Sequence, residues 1–140
     1  MSRDLGAAID AALEPGVVRV EQDGATAEVE VVDVDRLGAT IRGVRVRVPE
    51  PTDLAHRVER LPDGVRALGD RIVPVEVAPT LGGAVLRSDP RDIVDGEYFD
   101  VRTGTEGTHV TRQRRGEAVP FTLTRGQLRR LVDGVEEAME

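Results

Sequence analysis

The residues able to do chemistry are few, and most are acids and arginines. Glu28, Glu30, Asp33 and Asp35 lie along one half of the stretch 24–51, and Arg42, Arg45 and Arg47 along the other. Such a set suits either a carboxylate site with an anion clamp or a charged surface. The chain has no Cys and no Lys, so thiolate ligands, disulfides, a phosphate-loop lysine and Schiff-base chemistry are excluded. Its two histidines, His56 and His109, stand far apart and form no paired metal motif. Helical angle turns His56 away from its neighbours' apolar stripe, and strand pairing sets His109 opposite Arg102. Both read as surface residues. Ser2 and Ser88 are the only serines, and neither sits in a nucleophile elbow.

Two clusters remain. Asp89, Asp92 and Asp95 share an acidic, turn-rich segment, but Arg91 and Ile93 occupy positions where a calcium loop needs oxygen ligands, which leaves at most weak divalent binding. The run Arg112, Gln113, Arg114, Arg115 is the densest basic stretch, without interleaved aromatics. With a net charge of -7, the chain is a poor partner for a nucleic-acid backbone. No apolar run is long enough to cross a bilayer, and no leader pattern opens the sequence, so the expected location is the cytoplasm.

The elements that would position these groups follow from periodicity. At 140 residues, with 39% hydrophobic and 32% charged residues, the chain fits one domain, 1–140, with an aliphatic core. Apolar spacing predicts a helix over 2–13, capped by Ser2 and stopped at Pro15-Gly16. Asp23-Gly24 predicts a tight hairpin that pairs Val18 with Val29, Val20 with Ala27 and Arg19 with Glu28. A loop centred on Leu37-Gly38 predicts a second hairpin pairing Glu28 with Arg47, Glu30 with Arg45 and Asp33 with Arg42. In it Val29 faces Val46, Val31 faces Val44 and Val34 faces Ile41. On this reading acids and arginines neutralise each other across a solvated face and form no reactive centre.

Alternation breaks at Val31-Val32 and at Gly43-Val44. Either Gly43 marks a bulge, or the hairpin tip presents Val32, Val34 and Ile41 to another surface such as a second subunit. Further along, Thr52 or Asp53 caps a helix with Leu54, Ala55, Val58 and Leu61 on one stripe, which Pro62 ends or kinks. Strands follow around Val75 and Val77, expected to face inward, with Pro74 marking an edge or bulge. Residues 89–96 read as a loop or single helical turn, and a hairpin occupies 97–114. Thr124 and Gln127 form a capping box opening a final helix with the stripe Leu128, Leu131, Val132 and Val135.

The order α-βββ-α-ββ-ββ-α predicts an α+β, two-layer fold with helices packed on an antiparallel sheet. That order, with the size and acidity of the chain, resembles the secretion-chaperone-like fold of type III secretion chaperones and YbjN-like proteins. The resemblance implies a cytoplasmic, cofactor-free, commonly dimeric protein, and it carries no site residues. The expected function is non-enzymatic: a chaperone-like, self-associating domain that holds a segment of a protein partner. Val32, Val34 and Ile41 are its candidate contacts, with Leu128, Leu131, Val132 and Val135 as alternatives. A structural or adaptor subunit of a bacterial assembly is the second reading, and an enzyme using Asp and Arg residues the third.

Overall fold

In the computed structural model, which describes residues 3–140, α1 (Leu5–Ala12) is followed by a meander of β1 (Gly16–Gln22), β2 (Ala25–Val34) and β3 (Gly38–Arg47). Next come α2 (Leu54–Gly64), β4 (Ile72–Ala78), β5 (Gly83–Ser88), β6 (Glu97–Gly104) and β7 (Gly107–Arg114). The chain ends with two short strands, β8 (Glu117–Val119) and β9 (Phe121–Thr124), and α3 (Arg125–Met139). The sheet order is β1-β2-β3-β7-β6-β5-β4, with β8 added to β7 and β9 to β3, all antiparallel. This is the expected two-layer α+β architecture. No helix among the described residues is long and apolar enough to cross a membrane.

One face of the sheet carries the core. Val18, Ala27, Val29, Val44, Val46, Val110, Val101 and Leu86 are buried there with Leu5, Ile9 and Leu61 of the first two helices. Helix α3 packs against both α1 and α2, and its Leu128, Leu131, Val132 and Val135 are fully buried in the same core. These four are therefore core residues, and burial removes them as contact candidates.

The helix starts follow local chemistry. The cap expected at Ser2 lies outside the described residues; Asp4 caps α1, accepting from Ala7 N at 3.4 Å. Asp53 caps α2 through His56 N, and the Thr124–Gln127 box closes in both directions at 2.8 and 3.0 Å. Helix α2 runs two residues past Pro62 to Gly64. Of its expected stripe, Leu61 is buried but Ala55 is exposed, while Arg57 is buried instead.

The first hairpin has the expected register, including Arg19 opposite Glu28. The second does not. Glu28 faces Arg45, Val29 faces Val44, and Glu30 faces Gly43. The loop is centred on Arg36-Leu37, because the Asp35 carboxylate accepts from Leu37 N at 2.7 Å and Gly38 N at 2.9 Å. Moving the centre by one residue changes each partner by two, so the faces survive while every predicted cross-strand pair in this hairpin is replaced. Asp33 accordingly faces Thr40, not Arg42.

The broken alternation resolves as bulges. Pairing passes from Glu30–Gly43 to Val31–Ile41 and then to Asp33–Thr40, leaving Arg42 unpaired on β3 and Val32 unpaired on β2. The two extra residues, one per strand, cancel. As a result Ile41 joins the core, fully buried opposite Val31; Val34 is half-buried against the core; and Val32 alone is open, at 42% exposure. The three do not share an exposed face.

Two further expectations are corrected. Residues 117–124 form strands β8 and β9, not merely an approach to the last helix: β3 is long enough for Gly43–Val46 to pair with β7 while Gly38–Ile41 pairs with β9. Val75 and Val77 are not buried: they are 55% and 45% exposed on the edge strand β4, although Val77 stands opposite buried Ala84 in the helix-side row. The register shifts between Pro74 and Glu76, so Val75 is the extra residue of a bulge that resets the alternation. Pro74 thus marks both an edge and a bulge.

Candidate functional site on the uncovered sheet face

With all three helices on one side, the other face of the sheet carries residues in cross-strand rows. One row reads Arg19, Glu28, Arg45, His109, Arg102, Val85, Glu76 from β1 across to β4. Its neighbour reads Val17, Glu30, Gly43, Thr111, Asp100, Arg87, Val73. Charges alternate only over the first three residues of the first row, Arg19, Glu28 and Arg45, and opposition in register is not contact. The ion pairs of Arg19 and Arg47 are made with Glu21 and Glu106, both at 3.9 Å. Pairs so long and exposed contribute little. Reversing charge at Arg45 is expected to cost about 0.5 kcal/mol, recovered by reversal of Glu28 but not of Glu30. A urea-denaturation double-mutant cycle checks this.

Asp100 is the exception on this face. It is 3% exposed, and each carboxylate oxygen accepts one arginine: Arg87 Nε at 3.1 Å and Arg102 Nε at 2.8 Å. The Arg87 guanidinium also lies 5.4 Å over the Tyr98 ring. The bond to Asp100 holds the Arg102 guanidinium in its charged form, pushing its pKa up.

His109 is half-buried beside this group, folded across Gly43: a Cβ on that glycine would stand 3.1 Å from His109 Nε2. Arg45 Nη2 lies 3.5 Å from His109 Nδ1. A guanidinium only donates, so Nδ1 accepts and the proton of the neutral ring belongs on Nε2. Burial first, and then the Arg45 charge, push the His109 pKa below its usual value, against weaker opposition from Asp100, Glu28 and Glu30. The unfolded chain therefore binds a proton at higher pH than the folded one. Stability should rise with pH between the lowered folded pKa and the unfolded value near 6.5, and His109→Gln should flatten that slope. Denaturation midpoints across this range test the sign.

No family model, curated protein or solved structure matches this chain. The other sequence candidates are accounted for by their own neighbours. His56 is exposed at the α2 cap, with Nδ1 3.0 Å from Asp53 Oδ2. Asp89 is gripped by Arg91 at 2.8 and 3.1 Å, which drives its carboxyl far below the usual range, and Asp92 accepts from Arg71 N at 2.8 Å. Among the described residues no three His, Cys, Asp or Glu converge as metal ligands. Buried Ser88 ties strands together, donating to Asp70 Oδ2 and accepting from Phe99 N, each at 2.8 Å.

The basic run 112–115 is divided by its strand. Arg112 bonds Glu97 at 3.1 Å and covers the Phe99 ring at 4.7 Å, Arg114 stands opposite Glu97 and Glu117, and Arg115 takes a turn conformation at φ 52°. The group around Asp100 was missed by sequence reasoning. A signal existed in part, since Asp100 and Arg102 two positions apart must share a face. Arg87 could be added only from the β5–β6 register.

Proposed function

We propose that the chain is a non-enzymatic, chaperone-like protein-binding domain that self-associates and holds an extended segment of a protein partner along the edge strand β4. The observation that carries this reading is the edge itself. Among the described residues β4 ends the sheet with no strand on its outer side, and it shows Val75 and Val77 to solvent, with Leu81 exposed just beyond. Exposed apolar edge strands are templates for strand addition, and natural proteins usually guard them with charge. Here the guards are Pro74, the bulge in the middle of the strand and the single charge of Glu76, which leave Val75 and Val77 open on either side of that carboxylate. At the opposite edge, β1 alternates Arg19 and Glu21 with its apolar residues and is packed by α1. The net charge of -7 argues against a nucleic-acid partner.

The test compares wild type with a Val75→Glu/Val77→Glu variant in co-purification from the source organism, together with light scattering. Loss of a captured partner in the folded variant supports the reading. A partner held equally by both proteins would overturn the assignment to β4. A stoichiometric complex of folded subunits would favour the adaptor-subunit reading over a chaperone.

A further inference from the structure

We infer that Arg87 and Arg102 form a preorganised seat for a carboxylate side chain of the protein partner, on the uncovered face beside the β4 edge; this rests on the protein-binding reading above. Asp100 fixes both arginines through Nε alone. The terminal nitrogens of Arg87 and Arg102 make no hydrogen bond among the described residues, and the two side chains remain 38% and 60% exposed. Two guanidiniums thus share one buried carboxylate, and their outward amino groups form forks matched to an oxyanion.

The arrangement lowers the ordering cost of binding, because the bonds to Asp100, and for Arg87 the contact with Tyr98, already hold the long side chains. Position also fits. Arg87 stands opposite Val73 of β4, and Val85 separates Arg102 from Glu76 of β4, so a strand added to that edge runs about 10 Å from the Arg87 backbone and about 14 Å from that of Arg102, a gap that long side chains lying over the sheet face must span. Glu76 borders the pair on the β4 side, and His109, Arg45 and Glu28 continue the row on the other. The chain's net charge of -7 opposes anions at long range, but at physiological ionic strength that field is screened beyond about 8 Å, so contact is decided by the local groups.

The test follows the Nε–Hε signals of Arg87 and Arg102 by NMR during titration with a blocked peptide carrying glutamates, its glutamine counterpart, and inorganic phosphate. The expected result is a saturable shift with the glutamate peptide, at least tenfold weaker with the glutamine peptide; in a folded Arg87→Gln/Arg102→Gln variant, which lacks those side-chain signals, the backbone amide signals of Val85 and Asp100 should no longer respond to the glutamate peptide. Equal response to both peptides, or no response, would overturn the inference. Phosphate binding tighter than the glutamate peptide would overturn the carboxylate assignment. In co-purification, retention of the partner by Arg87→Gln/Arg102→Gln alongside its loss from Val75→Glu/Val77→Glu would sink this seat and leave the proposed function standing.

Discussion

Gly134→Ala is expected to destabilise the protein by about 2–3 kcal/mol, although alanine is the better helix former by about 1 kcal/mol. The reason is the crossing of α2 and α3. A Cβ on Gly134 would sit 2.0 Å from the carbonyl oxygen of Gly64, and a Cβ on Gly64 would sit 2.5 Å from that of Gly134. Both obstacles are backbone, which cannot rotate aside. Relief requires the helices to separate, and α3 would then withdraw Leu131, Val132 and Val135 from the core. Helix propensity and packing thus predict opposite signs, and the severity of the overlap makes packing win. Gly126 provides the control within the same helix: its added Cβ meets only the end of the flexible Arg130 side chain, at 3.3 Å. Gly126→Ala should be neutral or slightly stabilising. Urea denaturation of both variants decides the matter, and a Gly134→Ala protein as stable as wild type would refute the close crossing.

What could be read from the sequence was whatever short-range chemistry determines. Asp23 and Gly24 take positive φ values of 49° and 82°, the tight turn their types allow, and the pairing of β1 with β2 followed correctly. The hairpin of β6 and β7 was equally local, with Arg102 opposite His109 as expected. Register failed at the second hairpin because two loop centres keep the same valines inward, and only the hydrogen bonds of the Asp35 side chain choose between them. Burial of Val75 and Val77 failed for another reason: Val75 is the extra residue of the bulge, and Val77, though opposite Ala84 on the core side, stays 45% exposed at the margin of the sheet. Strand β9 was concealed by brevity, since its four residues, Phe121, Thr122, Leu123 and Thr124, run directly into the capping box of the last helix.

Long-range placement was not legible. Insertion of the β6–β7 hairpin between β3 and β5 brings together Asp100, Arg87, His109 and Arg45, which are separated in the chain and share no motif. Burial of Arg57 has the same origin. Its Nη1 donates to Thr103 Oγ1 at 3.1 Å and to the Gly104 carbonyl at 2.9 Å, acceptors supplied by β6.

Ile41→Asp is expected to abolish folding, and Val32→Asp to cost no more than about 1 kcal/mol, although the two residues lie on adjacent strands of one hairpin. If the hairpin tip were a contact between subunits, with both side chains outward, either substitution would change only the size of the assembly. The paired bulges separate their fates. Skipping Arg42 turns Ile41 toward the helices, where it is fully buried opposite Val31 and beside Phe121 of β9. An aspartate there loses the apolar transfer energy of isoleucine and places a charge without a partner in the core, a combined penalty of several kcal/mol. Against a total stability of roughly 5–15 kcal/mol, that suffices to empty the native state. Val32 is the residue skipped on the other strand, and at 42% exposure its replacement leaves the aspartate with access to water. Circular dichroism melts with light scattering on both variants would separate the outcomes. A folded Ile41→Asp protein of altered oligomer size would show that Ile41 faces outward and that the bulges are misplaced.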